Sequence, residues 1–206
     1  MMMRKQDRLF FSLGVVLALS ELWKQWSMTY IVNNGNYDWW YFPFQLCSIP
    51  MYLCLLLPFI NSEALRRTFY TFLMDFGLLG GIFAFFDTSG MHSSYFPLTL
   101  HSYFWHILLI FIGVMAGLNM HSPSRKDYRN CVLLYLGCSA VATVLNIFIA
   151  PLGTINMFFI SPNYPMTQKV FWHIAKLFGN PAGIISYIAA SVLGAGIFHL
   201  LWKKIS

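Results

Sequence analysis

Cys47 and His106 are the most reactive pairing of residue types in this 206-residue chain. A thiol of ordinary pKa about 8.5 becomes a nucleophile when a base or a cation draws off its proton, and imidazole is the usual base. The chemistry open to such a pair is acyl transfer through a thioester. Glu21 could orient an imidazole or neutralise Lys24, three residues further on, and Lys24 or Asn146 could donate to an oxyanion. The residue types leave those assignments open. A lone membrane cysteine otherwise serves as a small packing hydrophobe, and Cys54, Cys131 and Cys138 are read that way. Cys47 and Cys54, like Cys131 and Cys138, are seven residues apart on one expected helix. That is about 10.5 Å of rise, beyond the roughly 7 Å a disulfide tolerates between Cα atoms. No Cys/His spacing suits zinc, so neither a metal nor a cofactor is expected.

The elements that must hold these groups are membrane helices. Hydrophobic residues make up 58% of the chain and charged ones 10%, against about 25% charged in soluble domains. Six apolar stretches read as spans near 9–28, 42–60, 69–86, 98–118, 130–150 and 183–202, giving one all-α polytopic membrane bundle over residues 1–206. Thirteen Lys and Arg stand against seven Asp and Glu, scattered through short connections, which reads as topology and excludes a nucleic-acid surface. Arg4, Lys5, Arg8, Arg66, Arg67, Arg125, Lys126, Arg129, Lys203 and Lys204 fall on one side, and only Lys24, Lys169 and Lys176 on the other. Positive-inside counting puts both termini in the cytoplasm. The opening segment also carries a signal-peptide pattern, a basic stretch and an apolar run before Ala18 and Ser20.

Counting 1.5 Å per residue, Glu21 lies about 10 Å, Lys24 about 6 Å, Cys47 about 7 Å and His106 about 12 Å below the outer surface. His101 is expected near the interface and solvated, Asn146 near the outer end of its span, and Asp87 at the outer end of the third. Seven polar groups from five helices thus share one outer layer, and intramembrane ionisable groups are functional candidates by default. Pro50 lacks an N–H, which should leave the Leu46 carbonyl unpaired and kink the helix beside Cys47. Asp75, deeper and nearer the cytoplasm, is expected to pair with Arg66 or Arg67. His92, His121 and His199 are read as loop or cytoplasmic positions without a role, and His173 as solvated. In the long fifth connection Val170, Phe171, Ile174, Leu177 and Phe178 recur at helical spacing opposite Lys169, His173 and Lys176, predicting a short interfacial helix ended by Gly179, Asn180 and Pro181. Gly113 and Gly117, with Gly77, Gly80 and Gly81, predict close helix packing.

Taken in order, Glu21 and Lys24 late in span one, the PFQLCS run from Pro43 to Ser48, Asp87 closing span three, His106, and Gly153, Thr154, Ile155, Asn156 and Met157 after span five form a pattern. From about residue 15 onward this chain resembles the YwaF-like bacterial membrane proteins and their vertebrate relatives called transmembrane protein 164. The resemblance implies six spans, a bacterial plasma-membrane location, and phospholipid remodelling by an acyltransferase whose cysteine and histidine correspond to Cys47 and His106. Phospholipid and lysophospholipid would be the partners. Relatives tend to place a histidine beside the cysteine, where this chain has Gln45; glutamine hydrogen-bonds but does not titrate. A different class also fits the pattern: a membrane subunit that captures a small solute in the same polar layer, with Cys47 incidental. The enzyme reading draws on the nucleophile and base at similar depth, the binder on the lack of a sharper catalytic motif.

Overall fold

A computed structural model describes residues 5–205, and Arg4, one of the basic residues counted for topology, lies outside them. The fold is all helical. Helix α1 (Lys5–Trp26) runs on through a π-helical turn, Ser27–Val32. A 3-10 turn, Leu46–Ser48, leads into α2 (Ile49–Leu56), which tightens again over Leu57–Phe59. Helices α3 (Glu63–Phe72) and α4 (Leu78–Phe83) are one rod joined by a π-helical segment, Leu73–Gly77. Then come α5 (Phe96–Asn119), α6 (Arg125–Ile149), α7 (Lys169–Phe178) and α8 (Asn180–Ile205).

Helices α5, α6 and α8 are long and apolar enough to cross a bilayer, at 24, 25 and 26 residues. Each spans about 36–39 Å against a hydrocarbon core of about 30 Å. The apolar helix over Leu46–Phe59 is shorter, and the first and third rods carry more polar residues. Successive rods run between two ends of the bundle. One end holds both termini; the other, the far end, gathers the connections 33–45, 84–95 and 150–168.

Burial of aromatic and aliphatic faces holds the rods together. Phe10 and Leu17 of α1, with Cys54 and Leu57 from the α2 region, are fully buried where those rods pack. Phe72 stacks on Phe76 at 5.3 Å and Phe76 on Tyr135 at 4.4 Å, joining the third rod to α6. Such ring pairs add about 0.5–1.5 kcal/mol beyond their area. Gly113 and Gly117 do bring backbones close: a Cβ at Gly113 would sit 2.7 Å from Leu78 Cβ, and one at Gly117 2.4 Å from the Trp202 ring.

The structure corrects three expectations. Pro50 does not kink a helix; it lies in the first turn of α2, where its missing N–H costs nothing, and the Leu46 carbonyl accepts from Ile49 N–H. Asp75 pairs with neither arginine. Arg66 closes on Asp7 and Arg67 on Asp127 at the terminal end, while Asp75 lies two turns further along its rod. Its partner is His199 of α8, at 2.9 Å, so this histidine is buried and engaged rather than at a free cytoplasmic position. The interfacial helix forms over Lys169–Phe178 and ends at Gly179, whose φ of 90° is ordinary for glycine alone. Its apolar stripe is divided, with Phe171 and Ala175 against α8 and Val170, Leu177 and Phe178 facing outward.

Candidate functional site

Cys47 is fixed through the backbone around it. Residues 42–45 are irregular, with Phe44 N–H turned back on Phe42 O at 2.7 Å, before the 3-10 turn that carries the thiol. Along this stretch the carbonyls of Tyr41, Pro43 and Cys47 each accept from a side chain: Gln25 Nε2 at 2.6 Å, Tyr52 Oη at 2.6 Å and Trp105 Nε1 at 3.1 Å. No helical ladder exists here, so side chains do its work. Trp105, which the sequence reading did not single out, is buried on α5 and ties that helix to the cysteine.

Gln45 reaches the other way. Its Nε2 donates to Asn156 O at 3.2 Å and its Oε1 accepts from Phe158 N–H at 2.8 Å. Asn146 repeats the pattern one residue between, with Nδ2 donating to Met157 O at 3.0 Å and Oδ1 accepting from Met157 N–H at 2.6 Å. Asn156 Oδ1 accepts from Ser161 N–H at 2.9 Å. Three amides thus pair with a loop backbone as a neighbouring strand would. They hold Phe158 and Phe159 at φ of 57° and 58°, a left-handed conformation that bulky residues rarely adopt. Phe158 stacks against Phe44 at 5.9 Å, three residues from Cys47. Both Asn146 amide atoms are therefore occupied by loop backbone.

The charged members sit on α1. Lys24 Nζ is 2.8 Å from Glu21 Oε1, to which Gln25 Nε2 also donates at 2.7 Å. Glu21 is buried. Lys24 also borders a void of about 20 Å³ with Ser102 and His92, room for about one water.

The two histidines of α5 differ. His101 is only 9% exposed, which corrects its expected solvation; its ring lies between Trp23 and Trp105, each 5.7 Å away. The Ser20 carbonyl faces the ring, yet neither nitrogen makes a well-formed hydrogen bond. His106 Nδ1 lies 2.8 Å from Ser102 O, so it carries the proton and donates, leaving the Nε2 lone pair as the basic site. Its ring is edge-on to Phe85 at 6.5 Å. Among the described residues no hydrogen bond joins Cys47 to either histidine.

Asp87 stands apart. Its Oδ1 caps the turn Thr88–Met91 through Ser89, and its Oδ2 meets Lys169 at 3.3 Å. The Ser89 hydroxyl and N–H, then Lys169, hold its carboxyl below the usual carboxylate range. The structure thus pairs Glu21 with Lys24, ties α5 to Cys47 through Trp105, gives Gln45, Asn146 and Asn156 to the loop clasp, and leaves Asp87 on the surface.

Over residues 2–201 the sequence matches the TMEM164 family. No curated protein and no solved structure matches it.

Proposed function

Because the chain belongs to the TMEM164 family, we propose that it is a membrane lipid acyltransferase with Cys47 as nucleophile and His106 as base. The observation that carries this reading is the bond from Trp105, the neighbour of His106 on α5, to the Cys47 carbonyl at 3.1 Å, which brings the helix of the base against the segment of the thiol. In the first half-reaction Cys47 Sγ attacks the ester carbonyl carbon of a phospholipid. The ester C–O bond breaks, and the proton lost by the thiol passes through His106 Nε2 to the departing lysophospholipid oxygen. In the second half-reaction the hydroxyl of an acceptor lysophospholipid attacks the thioester, and its proton returns to Sγ by the same imidazole. Lys24 is placed to favour the thiolate and the oxyanion.

The same proposal sets the topology. The alternating rods make six crossings, the ten basic residues of the terminal end place both termini in the cytoplasm, and the site lies toward the outer leaflet of a bacterial plasma membrane. Helix α7 then rests on the outer surface with Val170, Leu177 and Phe178 in lipid.

Acyl exchange between labelled phospholipid and lysophospholipid, with purified protein in lipid, tests the reading. Cys47→Ser should abolish exchange, Cys54→Ser should retain it, and His106→Ala should lose a factor of about 10² to 10⁴. A hydroxylamine-sensitive acyl label on Cys47 would support the thioester. Full exchange in Cys47→Ser overturns it.

A further inference from the structure

A cavity away from Cys47 lies at the surface of the far end: an open cleft of about 420 Å³ between the turn that follows α1 and the loop that follows α6. That volume falls within the range of about 300–1,000 Å³ typical of small-molecule sites. Three amides, Asn33, Asn34 and Asn36, line one wall, and Leu152 and Thr154 line the other. Tyr37 and Asp38 complete it, and none of the lining residues is basic.

The wall is built firmly. Asn33 N–H donates to Met28 O at 3.0 Å and Gly35 N–H to Thr29 O at 2.7 Å, so the turn folds back on the end of the first rod. Asn34 and Gly35 take φ of 51° and 90°, which turns the chain sharply at this wall. Opposite, Gly153 has no side chain, and a Cβ there would come within 2.8 Å of Trp39 Cδ1. The bare position lets Trp39 seal the floor, stacked on Phe42 at 6.1 Å and met edge-on by Tyr37 at 4.9 Å.

Much of the cleft's polar capacity is unused. Asn36 Nδ2 donates to Asn33 O at 3.1 Å and Asp38 Oδ1 accepts from Trp40 N–H at 3.0 Å. The side-chain amides of Asn33 and Asn34, the Thr154 hydroxyl and Asp38 Oδ2 have no hydrogen-bond partner among the described residues. A primary amide presents donors and an acceptor a few ångströms apart, which suits adjacent hydroxyl groups. The Tyr37 ring, 39% exposed, offers an apolar face for a C–H surface. A lone carboxylate without a cation opposes anions.

We propose that this cleft is a recognition site for an uncharged polyhydroxylated group, a sugar borne by a lipid or free in solution. The proposal rests on the cleft alone and does not require acyl transfer. Native mass spectrometry of the full chain in detergent, titrated with monoglucosyl diacylglycerol, phosphatidylglycerol and free glucose, tests it. Monoglucosyl diacylglycerol or glucose should form a saturable single adduct, while phosphatidylglycerol, a hydroxylated but anionic headgroup, should bind more weakly. An adduct with the glycolipid alone identifies the lipid as the source; equal competition by glucose identifies the free sugar. Asn34→Gly, which keeps the left-handed turn, and Asn36→Ala should each weaken the adduct roughly fivefold to tenfold, the worth of a lost hydrogen bond or two. An unchanged thermal midpoint would show that both variants fold. Equal binding of phosphatidylglycerol, no adduct with either sugar probe, or full affinity in both variants overturns the proposal.

Discussion

At the end of the bundle that carries the termini, charges meet charges. Arg66 closes on Asp7 and also donates to Leu57 O at 3.0 Å, while Arg67 grips both oxygens of Asp127, which in turn completes a capping box with Ser124. Among the described residues the far end contains one buried ion pair, Glu21 with Lys24, and one at the surface, Asp87 with Lys169, and neutral amides clasp the loop after α6. It also keeps groups without partners: both nitrogens of His101, Asn156 Nδ2 and Ser161 Oγ. A buried polar atom without a hydrogen bond is destabilising, so saturation at one end and open capacity at the other separate a clamp from a place where chemistry can occur. The contrast is not complete. In mid-bundle, Asp75 and His199 pair through one atom each, while Asp75 Oδ1 and His199 Nε2 stay unpartnered at a π-helical segment.

The contrast can be broken by substitution. The largest effect on stability should come from Arg66→Met, which strands the buried carboxylate of Asp7. Breaking such a pair costs about 3–5 kcal/mol, and Asp7→Asn in the same chain should recover most of the loss in thermal unfolding. At the far end Asn146→Leu orphans Met157 N–H and its carbonyl together, which should cost about 2 kcal/mol and lower acyl exchange with it. Trp105→Phe keeps the ring but deletes the donor to Cys47 O. It should cost about 1 kcal/mol, a fall of roughly 2–4 °C in the melting midpoint, and under the thioester reading it slows exchange about fivefold. The smallest effect belongs to Asp87. Its carboxyl is held below the ordinary range, so the stabilisation is present above about pH 3.9 and fades as pH falls through the folded-state value. Asp87→Asn should flatten that slope, with only a small loss of stability at neutral pH because the Lys169 pair is exposed.

Local signals made much of the fold legible. Apolar length identified α5, α6 and α8, and the alternation of Val170, Phe171, Ile174, Leu177 and Phe178 identified α7, since both are properties of a few consecutive residues. The glycines of α5 announced close packing. What escaped was which groups face each other. Rotation of each rod about its axis is set by packing and by π-helical turns, each of which inserts a residue and shifts everything beyond it. Asp75 therefore found His199, 124 positions away, rather than a nearby arginine. Gln45 stood out as a departure beside Cys47, yet its work is backbone pairing with residues 111 and 113 positions away, which no local pattern encodes. Depth counting expects Cys47 and His106 in one layer, but depth carries no information on which side chains share a face.

The amide clasp also has a place in time. A chain made from its N-terminus can join Arg66 to Asp7 once the first two rods exist, and Arg67 to Asp127 soon after α6 begins. The bonds from Gln45 must wait for residue 158, and Asp75 waits for residue 199. Until then the two left-handed phenylalanines have nothing to hold them. The end that carries Cys47 is thus clasped only after the opposite pole has its ion pairs, so a chain interrupted before residue 158 would be anchored at one end and open at the other.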